Sequence, residues 1–156
     1  MQQAFALRRP GPGWWAWVTD LHVVLVLVAA VPVWVLLGAM AHDDMRLPVS
    51  TLDWALLVFV QPLAEELVFR GLLQGQLLRW TSARRVGSVS AANLLTTIGF
   101  VVAHLFSQPA AWALSIAAPS LVLGHLRERF GSVLPAMVVH AIFNAGFALV
   151  GCGMSR

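Results

Sequence analysis

The chain has no lysine and few charges of any kind. All ten basic residues are arginine, seven residues are acidic, and only 11% of the 156 residues are charged. Soluble domains carry roughly one quarter charged residues, and 59% of this chain is hydrophobic. A water-soluble core of this size would not hide so much apolar surface. The composition therefore argues against a soluble domain and indicates an integral membrane protein.

Cysteine is nearly absent as well, because Cys152 is the only one in the chain. A single cysteine excludes an internal disulfide and any CxxC metal site. The arginines are scattered at predicted helix ends and are not clustered with aromatic residues, so nucleic-acid binding has little support. The lipid bilayer is the partner that the composition indicates.

Five apolar segments predict an all-α fold, a polytopic membrane bundle of about five transmembrane helices with a polar catalytic site inside it. The helices are predicted at residues 23–41, 54–79, 86–106, 110–124 and 133–150. Helices in a bundle share one interior. This predicts a single domain over residues 1–156, with a motif-bearing core at residues 53–151.

The first apolar segment has two interpretations. Residues 23–41 contain no ionisable side chain and are long enough to cross the bilayer. A cleaved leader is the competing interpretation, since a pair of arginines precedes the segment and residues 39–41 resemble a small-residue cleavage site. The apolar run exceeds the roughly 7–15 residues of a leader, so we favour a retained anchor.

The charges in the loops predict an orientation. Seven of the ten arginines fall on one side, which the positive-inside rule assigns to the cytoplasm. Residues 1–20 then form a cytoplasmic amino-terminal segment, and five crossings place the carboxyl terminus outside. The cytoplasmic arginines are Arg8, Arg9, Arg79, Arg84, Arg85, Arg127 and Arg129. The opposite loops carry Asp43, Asp44 and Arg46 or no charge. Six of the seven tryptophans lie near predicted helix ends, as interfacial anchors do, and Trp34 is the exception.

Two adjacent glutamates and an arginine lie within the second apolar segment. Charged side chains in a membrane helix are costly and usually functional. Glu66 and Arg70 are four residues apart and share a helix face, so they are predicted to pair and support the site. Glu65 projects about 100° away from that face. Burial raises the proton affinity of a carboxylate, which predicts a general base. The alternative is a charge pair that only joins helices, but two carboxylates against one arginine argue against it.

Two later apolar segments carry histidines. His104 ends the third segment, where a lone histidine is as readily an interfacial or hydrogen-bonded core residue as a catalytic one. His140 and Asn144 are four residues apart, which places both side chains on one face of the last helix. Hydrogen-bonding groups inside lipid require partners, so this pair is expected to converge on a polar site.

Together these residues predict a hydrolytic site. Glu65 takes a proton from a water molecule that His104 helps to hold, and the resulting hydroxide attacks a peptide carbonyl. His140 and Asn144 donate hydrogen bonds to the developing oxyanion. We predict no cofactor and no metal, although zinc held by Glu65, His104 and His140 is an open alternative. Serines in the apolar segments lack a convincing partner base and are interpreted as small helix-packing residues: Ser90, Ser115 and Ser120.

The spacing of these residues resembles the three motifs of the CPBP family of glutamic-type intramembrane proteases. The family includes the CAAX prenyl endopeptidases and bacterial proteins linked to bacteriocin processing or self-immunity. The matching motifs are Glu65-Glu66-x-x-x-Arg70, Phe100-x-x-x-His104 and His140-x-x-x-Asn144. The likeness covers roughly residues 53–151. All three motifs occur in order, each in an apolar segment, which makes the resemblance specific.

The resemblance implies a role for each matching residue. Glu65 and His104 would activate water, His140 and Asn144 would form the oxyanion site, and Glu66, Arg70 and Phe100 would support them. It also implies a membrane-anchored protein or peptide as substrate. The family's CAAX-processing members typically have more transmembrane helices, so this chain resembles a compact bacterial branch of the inner membrane. Some short members are similar to myxosortase-like enzymes, which process carboxyl-terminal sorting segments of exported proteins.

Two rival functions use the same residues. A non-enzymatic membrane immunity or scaffold protein would keep the polar cluster for binding a peptide. A small proton-coupled transporter would also bury glutamate and histidine, but five helices without an internal repeat argue against it. The residues leave the oligomeric state open.

Overall fold

The computed structural model describes residues 16–40, 48–82 and 84–154. Over these residues the chain is a succession of helices interrupted by one antiparallel hairpin. The elements are α1 (Leu21–Met40), α2 (Thr51–Ala55), a π-helix (Leu56–Val60), α3 (Gln61–Glu66), a second π-helix (Leu67–Leu73), α4 (Gln74–Trp80), β1 (Arg85–Val86), β2 (Val89–Ser90), α5 (Ala91–Leu105), α6 (Ala110–Ser115), α7 (Ala117–Phe130) and α8 (Leu134–Met154). The all-α prediction is therefore confirmed for this part of the chain.

The described residues form two compact units. Residues 65–136 form the first, here called the motif unit, and residues 16–64 with 137–154 belong to the second, the flanking unit. The loop charges Arg8, Arg9, Asp43, Asp44 and Arg46, which set the predicted orientation, lie outside the described residues.

Helix α1 coincides with the first predicted segment. Its amino end follows Asp20, whose carboxylate accepts a hydrogen bond of 3.0 Å from the backbone N–H of His22 and caps the helix. Most of the valines and leucines along it are exposed. Trp34, the tryptophan away from the predicted helix ends, packs against Gly146 of α8. A Cβ added at Gly146 would lie 2.4 Å from the Trp34 ring.

The second predicted segment is helical from residue 51 to 80 but is not uniform. It begins at a capping box in which Ser50 Oγ accepts from the Asp53 N–H at 3.1 Å and Asp53 Oδ2 accepts from the Ser50 N–H at 3.0 Å. The hydrogen bond from Ser50 Oγ, with those from backbone N–H groups, lowers the pKa of Asp53. The apolar pattern did not predict the two π-helices, which widen the helix on either side of α3.

The prediction of a helix from residue 86 is wrong at its start. Arg85 pairs with Ser90 and Val86 pairs with Val89 in a short antiparallel hairpin, and α5 begins only at Ala91. Gly87 adopts a φ of +63° in the turn, a conformation that glycine tolerates. Ser90 Oγ accepts a hydrogen bond of 2.9 Å from Asn93 N–H and caps α5. The turn at Gly87 and the cap at Ser90 therefore set the start of α5, although the segment is apolar.

The fourth predicted segment consists of two helices. Helix α6 ends before Ile116, and α7 runs on to Phe130, six residues beyond the predicted end at 124. Gly131 closes α7 in the left-handed region with a φ of +62°. Arg127 and Arg129, predicted in a loop, therefore lie in the last turn of a helix.

Among the described residues, α8 is the one helix long and apolar enough to cross a membrane on those criteria, over Leu134–Gly153. Leu21–Leu36 and Ala91–Leu105 form shorter apolar helices. The number of five crossings stays a prediction.

Helix α5 places polar groups inside the motif unit and apolar groups outside. Asn93, Thr96 and Thr97 are buried. The exposed side chains include Leu94, Leu95, Ile98 and Val102. Water would favour the opposite arrangement, whereas lipid favours exposed apolar side chains.

Candidate active site

Glu65 and His104 come together within the motif unit. Glu65 lies near the end of α3 and His104 lies in the last turn of α5. His104 Nε2 is 4.0 Å from Glu65 Oε1, and the two side chains are 23% and 29% exposed. Both groups are therefore sheltered but reachable by a small molecule. A carboxylate and an imidazole in this arrangement suit acid–base chemistry.

The other ring nitrogen of His104 fixes the tautomer of the neutral ring. Nδ1 lies 2.9 Å from the backbone oxygen of Phe100. A carbonyl oxygen only accepts hydrogen bonds, so Nδ1 carries the hydrogen and the Nε2 lone pair is directed away from that carbonyl. Nε2 is then an acceptor that lies near the Glu65 carboxylate.

The 4.0 Å between Nε2 and Oε1 suits a bridging water. It exceeds the length of a direct hydrogen bond. A water molecule that donates hydrogen bonds of about 2.8 Å to both acceptors subtends an angle of about 90° at its oxygen, close to its own bond angle. Its lone pairs then point away from both groups.

Phe100 connects His104 to Arg70. Its buried ring lies with its centroid 4.4 Å from that of His104 and 4.9 Å from that of Phe69, which meets it edge-on. The Arg70 guanidinium carbon is 4.6 Å from the centroid of the same ring, a cation–π contact. The position of the imidazole therefore depends on Phe100, and that of Phe100 on the guanidinium.

Arg70 is held by groups from three helices. Its Nη1 lies 2.7 Å from Glu66 Oε1, and both side chains are fully buried. Its Nη2 donates to the Ser120 carbonyl at 3.2 Å and to Ser120 Oγ at 2.8 Å. Ser120 Oγ in turn donates to Thr97 Oγ1 at 3.1 Å. The predicted Glu66–Arg70 contact is present. The interpretation of Ser120 as only a packing residue is wrong, because its hydroxyl and carbonyl both bind the guanidinium.

A second polar cluster continues from Arg70 along the same helix face. Gln74, four residues on and fully buried, donates from Nε2 to the Gly124 carbonyl at 3.1 Å and to Glu128 Oε1 at 2.8 Å. Ser90 Oγ also donates to Glu128 Oε1. Gln74 was not predicted as a site residue, although its four-residue spacing from Arg70 was a signal. Glu128 and Ser120 had no such signal, because they come from another helix.

His140 and Asn144 lie on α8 in the flanking unit. His140 is 8% exposed, and Asn144 is half-buried. Asn144 Nδ2 donates a hydrogen bond of 3.0 Å to the backbone carbonyl of Leu57. Their convergence on Glu65 and His104 stays a prediction.

The zinc alternative requires three ligand side chains within reach of one ion. Among the described residues, no three side chains of the histidine, cysteine, aspartate and glutamate types lie close enough together to hold a metal ion. The predicted absence of a metal and the zinc alternative both stay predictions.

Exposed apolar side chains on α5, the buried Glu66–Arg70 pair and the sheltered Glu65–His104 pair are together typical of an integral membrane protein with a polar interior site. Residues 47–146 match the family model described as type II CAAX prenyl endopeptidase Rce1-like. Because the match covers well over half of the chain, the protein belongs to this family, and the CPBP resemblance is confirmed. The family is one of integral membrane proteases. Searches of curated proteins and of solved structures gave no significant match.

Proposed function

We propose that the protein is a glutamic-type intramembrane endopeptidase that hydrolyses a peptide bond in a membrane-tethered protein or peptide. The observation that carries the proposal is the Glu65–His104 pair, with its 4.0 Å spacing and an imidazole oriented by the Phe100 carbonyl. Membership of a protease family supports it.

In the proposed reaction, a water molecule donates its hydrogen bonds to Glu65 and His104. Glu65 removes one proton as the water oxygen bonds to the substrate carbonyl carbon, and the carbonyl oxygen becomes an oxyanion. His140 and Asn144 donate hydrogen bonds to that oxyanion. The proton on Glu65 then passes to the departing amine as the carbon–nitrogen bond breaks. Glu66, Arg70 and Phe100 keep the base and its imidazole partner in place.

The proposed setting is a compact bundle of about five crossings in a bacterial inner membrane, with the amino terminus cytoplasmic. The proposed substrate carries a hydrophobic membrane-anchored segment, and carboxyl-terminal sorting signals of exported proteins are the class that we favour. The name of the family, type II CAAX prenyl endopeptidase, points instead to prenylated CAAX ends. Both classes present a peptide bond near a lipid-anchored end.

The test uses purified full-length protein in liposomes with two internally quenched peptides, one with a hydrophobic carboxyl-terminal helix and one with a prenylated carboxyl terminus. Glu65→Gln and His104→Ala are each expected to reduce kcat by about 10²–10⁴-fold, since they remove acid–base catalysis. Asp53→Asn, which changes the capping carboxylate of α2, is the matched control and should retain activity.

The outcomes separate the alternatives. Full activity of Glu65→Gln would refute the mechanism, and a Glu65→Gln protein that still protects cells or binds peptide normally would favour a non-enzymatic role. Inhibition by a chelator that zinc reverses would favour a metalloprotease. Cleavage of the prenylated peptide alone would replace sorting signals with CAAX ends as the substrate class.

A further inference from the structure

The first π-helix ends at Val60, two residues before a proline that interrupts the continuation of its hydrogen bonding. In the π register each N–H donates to the carbonyl five residues earlier, and the Gln61 N–H donates to the Leu56 carbonyl in this way. The next donor in that register is residue 62, which would donate to the Leu57 carbonyl. Residue 62 is proline and has no N–H. The Leu57 carbonyl therefore lacks this backbone donor.

Asn144 supplies the missing donor. Its Nδ2 lies 3.0 Å from the Leu57 oxygen, and both residues belong to the flanking unit. The carboxamide nitrogen of Asn144 carries two hydrogens, whereas its carboxamide oxygen can only accept a hydrogen bond. The Leu57 carbonyl can therefore bind only the Nδ2 end of this side chain. The contact therefore fixes which way the amide is turned. It also leaves the second Nδ2 hydrogen in a defined direction.

The surroundings strengthen this contact. Pro62 is fully buried. An apolar groove of about 450 Å³ runs along the two helix segments, and its lining includes Val58, Pro62, Ala141 and Ala145. Where water or lipid cannot provide a well-placed donor, a backbone carbonyl gains most from a fixed side-chain partner.

We propose that Pro62 is a positioning residue for Asn144. Because Pro62 has no N–H, the Leu57 carbonyl accepts from the Asn144 amide instead of from the backbone. This contact orients the remaining Nδ2 hydrogen. This role rests on the proposed function, in which that hydrogen stabilises the oxyanion. Pro62→Ala restores a backbone N–H that competes with Asn144 for the same carbonyl.

The first experiment measures thermal unfolding of the full chain in detergent and does not depend on activity. Asn144→Leu is expected to lower the Tm by about 3 °C, because it leaves the Leu57 carbonyl without a donor. In a Pro62→Ala background the same change should lower the Tm by less than about 1 °C, since the new N–H takes over. Pro32→Ala, which changes an exposed proline inside α1, is the control. Its change in Tm should add to that of Asn144→Leu. Asn144→Ala serves as a second donor-free variant.

The second experiment measures cleavage. Pro62→Ala should lower kcat about tenfold with KM unchanged, and it should have no further effect in an Asn144→Ala background. Additive Tm changes for Pro62→Ala and Asn144→Leu would overturn the proposal, and so would an unchanged kcat in Pro62→Ala. Full activity of Glu65→Gln would instead show that the proposed function is wrong. The Tm values of the Pro62 and Asn144 variants would still test the contact, because they do not depend on activity.

Discussion

The motif unit and the flanking unit bury different kinds of side chain. The buried residues of the motif unit include many polar ones: Glu66, Arg70, Gln74, Ser90, Asn93, Thr96, Thr97 and Ser120. In the described part of the flanking unit, the buried side chains are apolar apart from His140. A polar interior surrounded by lipid can draw its hydrogen bonds only from the protein. Ser120 supplies two of them to the arginine and is itself bound to Thr97, whereas the flanking unit relies mainly on apolar packing.

The largest effect is expected from removing the buried guanidinium. Arg70→Met leaves the Glu66 carboxylate in a buried site without the group that lies 2.7 Å from it. We expect a loss of about 3–5 kcal/mol in the free energy of unfolding, measured by thermal or chemical unfolding in detergent. Arg79→Met changes an exposed arginine and should alter stability by less than about 0.5 kcal/mol.

The double variant Glu66→Leu/Arg70→Met sharpens this prediction. Two apolar side chains of similar volume often replace a buried ion pair at little cost. The double variant should therefore be more stable than Arg70→Met alone. If both proteins unfold at the same temperature, the polar interior of the motif unit does not depend on charge pairing.

A smaller effect is expected where a polar side chain packs on a glycine. A Cβ at Gly124 would lie 1.9 Å from Asn93 Oδ1, and Asn93 Nδ2 is held by the Leu121 carbonyl at 2.9 Å. Gly124→Ala should therefore cost about 1–3 kcal/mol. A second change, Asn93→Ala, should recover part of this loss.

Two glycines of the flanking unit provide the comparison with Gly124 of the motif unit. Gly146→Ala places a Cβ against the Trp34 ring, which is half-buried, whereas Asn93 beside Gly124 is buried and held by a hydrogen bond, so the cost of Gly146→Ala should be the lower one. Gly153→Ala meets nothing within 4 Å and should be neutral or stabilising by up to about 1 kcal/mol. Equal losses at Gly124 and Gly146 would show that the two units tolerate overpacking alike.

The smallest effect is expected from one hydroxyl. Ser120→Ala removes the 2.8 Å hydrogen bond from Arg70 but keeps the one to the backbone carbonyl. We expect a loss of about 1–2 kcal/mol and a decrease in kcat of less than tenfold, as Arg70 supports His104 through Phe100. Ser115→Ala, an exposed serine whose hydroxyl donates to its own helix, should change neither. A Ser120→Ala protein as stable as the wild type would show that the hydroxyl does not stabilise the arginine site.

The sequence predicted most of the helices and the contacts that lie within one helix. The Glu66–Arg70 pair could be predicted because four-residue spacing fixes which side chains share a face. The start of α5 could not be read from apolar composition, since Gly87 and Ser90 provide a turn and a cap inside an apolar run. The π-helices were also missed, because each depends on the register of one extra backbone residue.

Residues from other helices were the hardest to foresee. Ser120 and Glu128 bind residues fifty or more positions away, and no local pattern encodes such a distance. The pairing of Asn144 with Leu57 spans 87 positions. The sequence shows that Pro62 has no N–H. Only the π register shows that the carbonyl left without this donor is that of Leu57.

The sequence by itself determined the class of protein and the order of its polar motifs, because composition and helical spacing are local properties that lipid and backbone geometry constrain directly. Tertiary structure alone decided that Glu65 lies within reach of His104, that Ser120 holds the arginine, and that a backbone carbonyl orients Asn144. These contacts depend on how separate segments pack, and packing is set by the fit of many side chains at once.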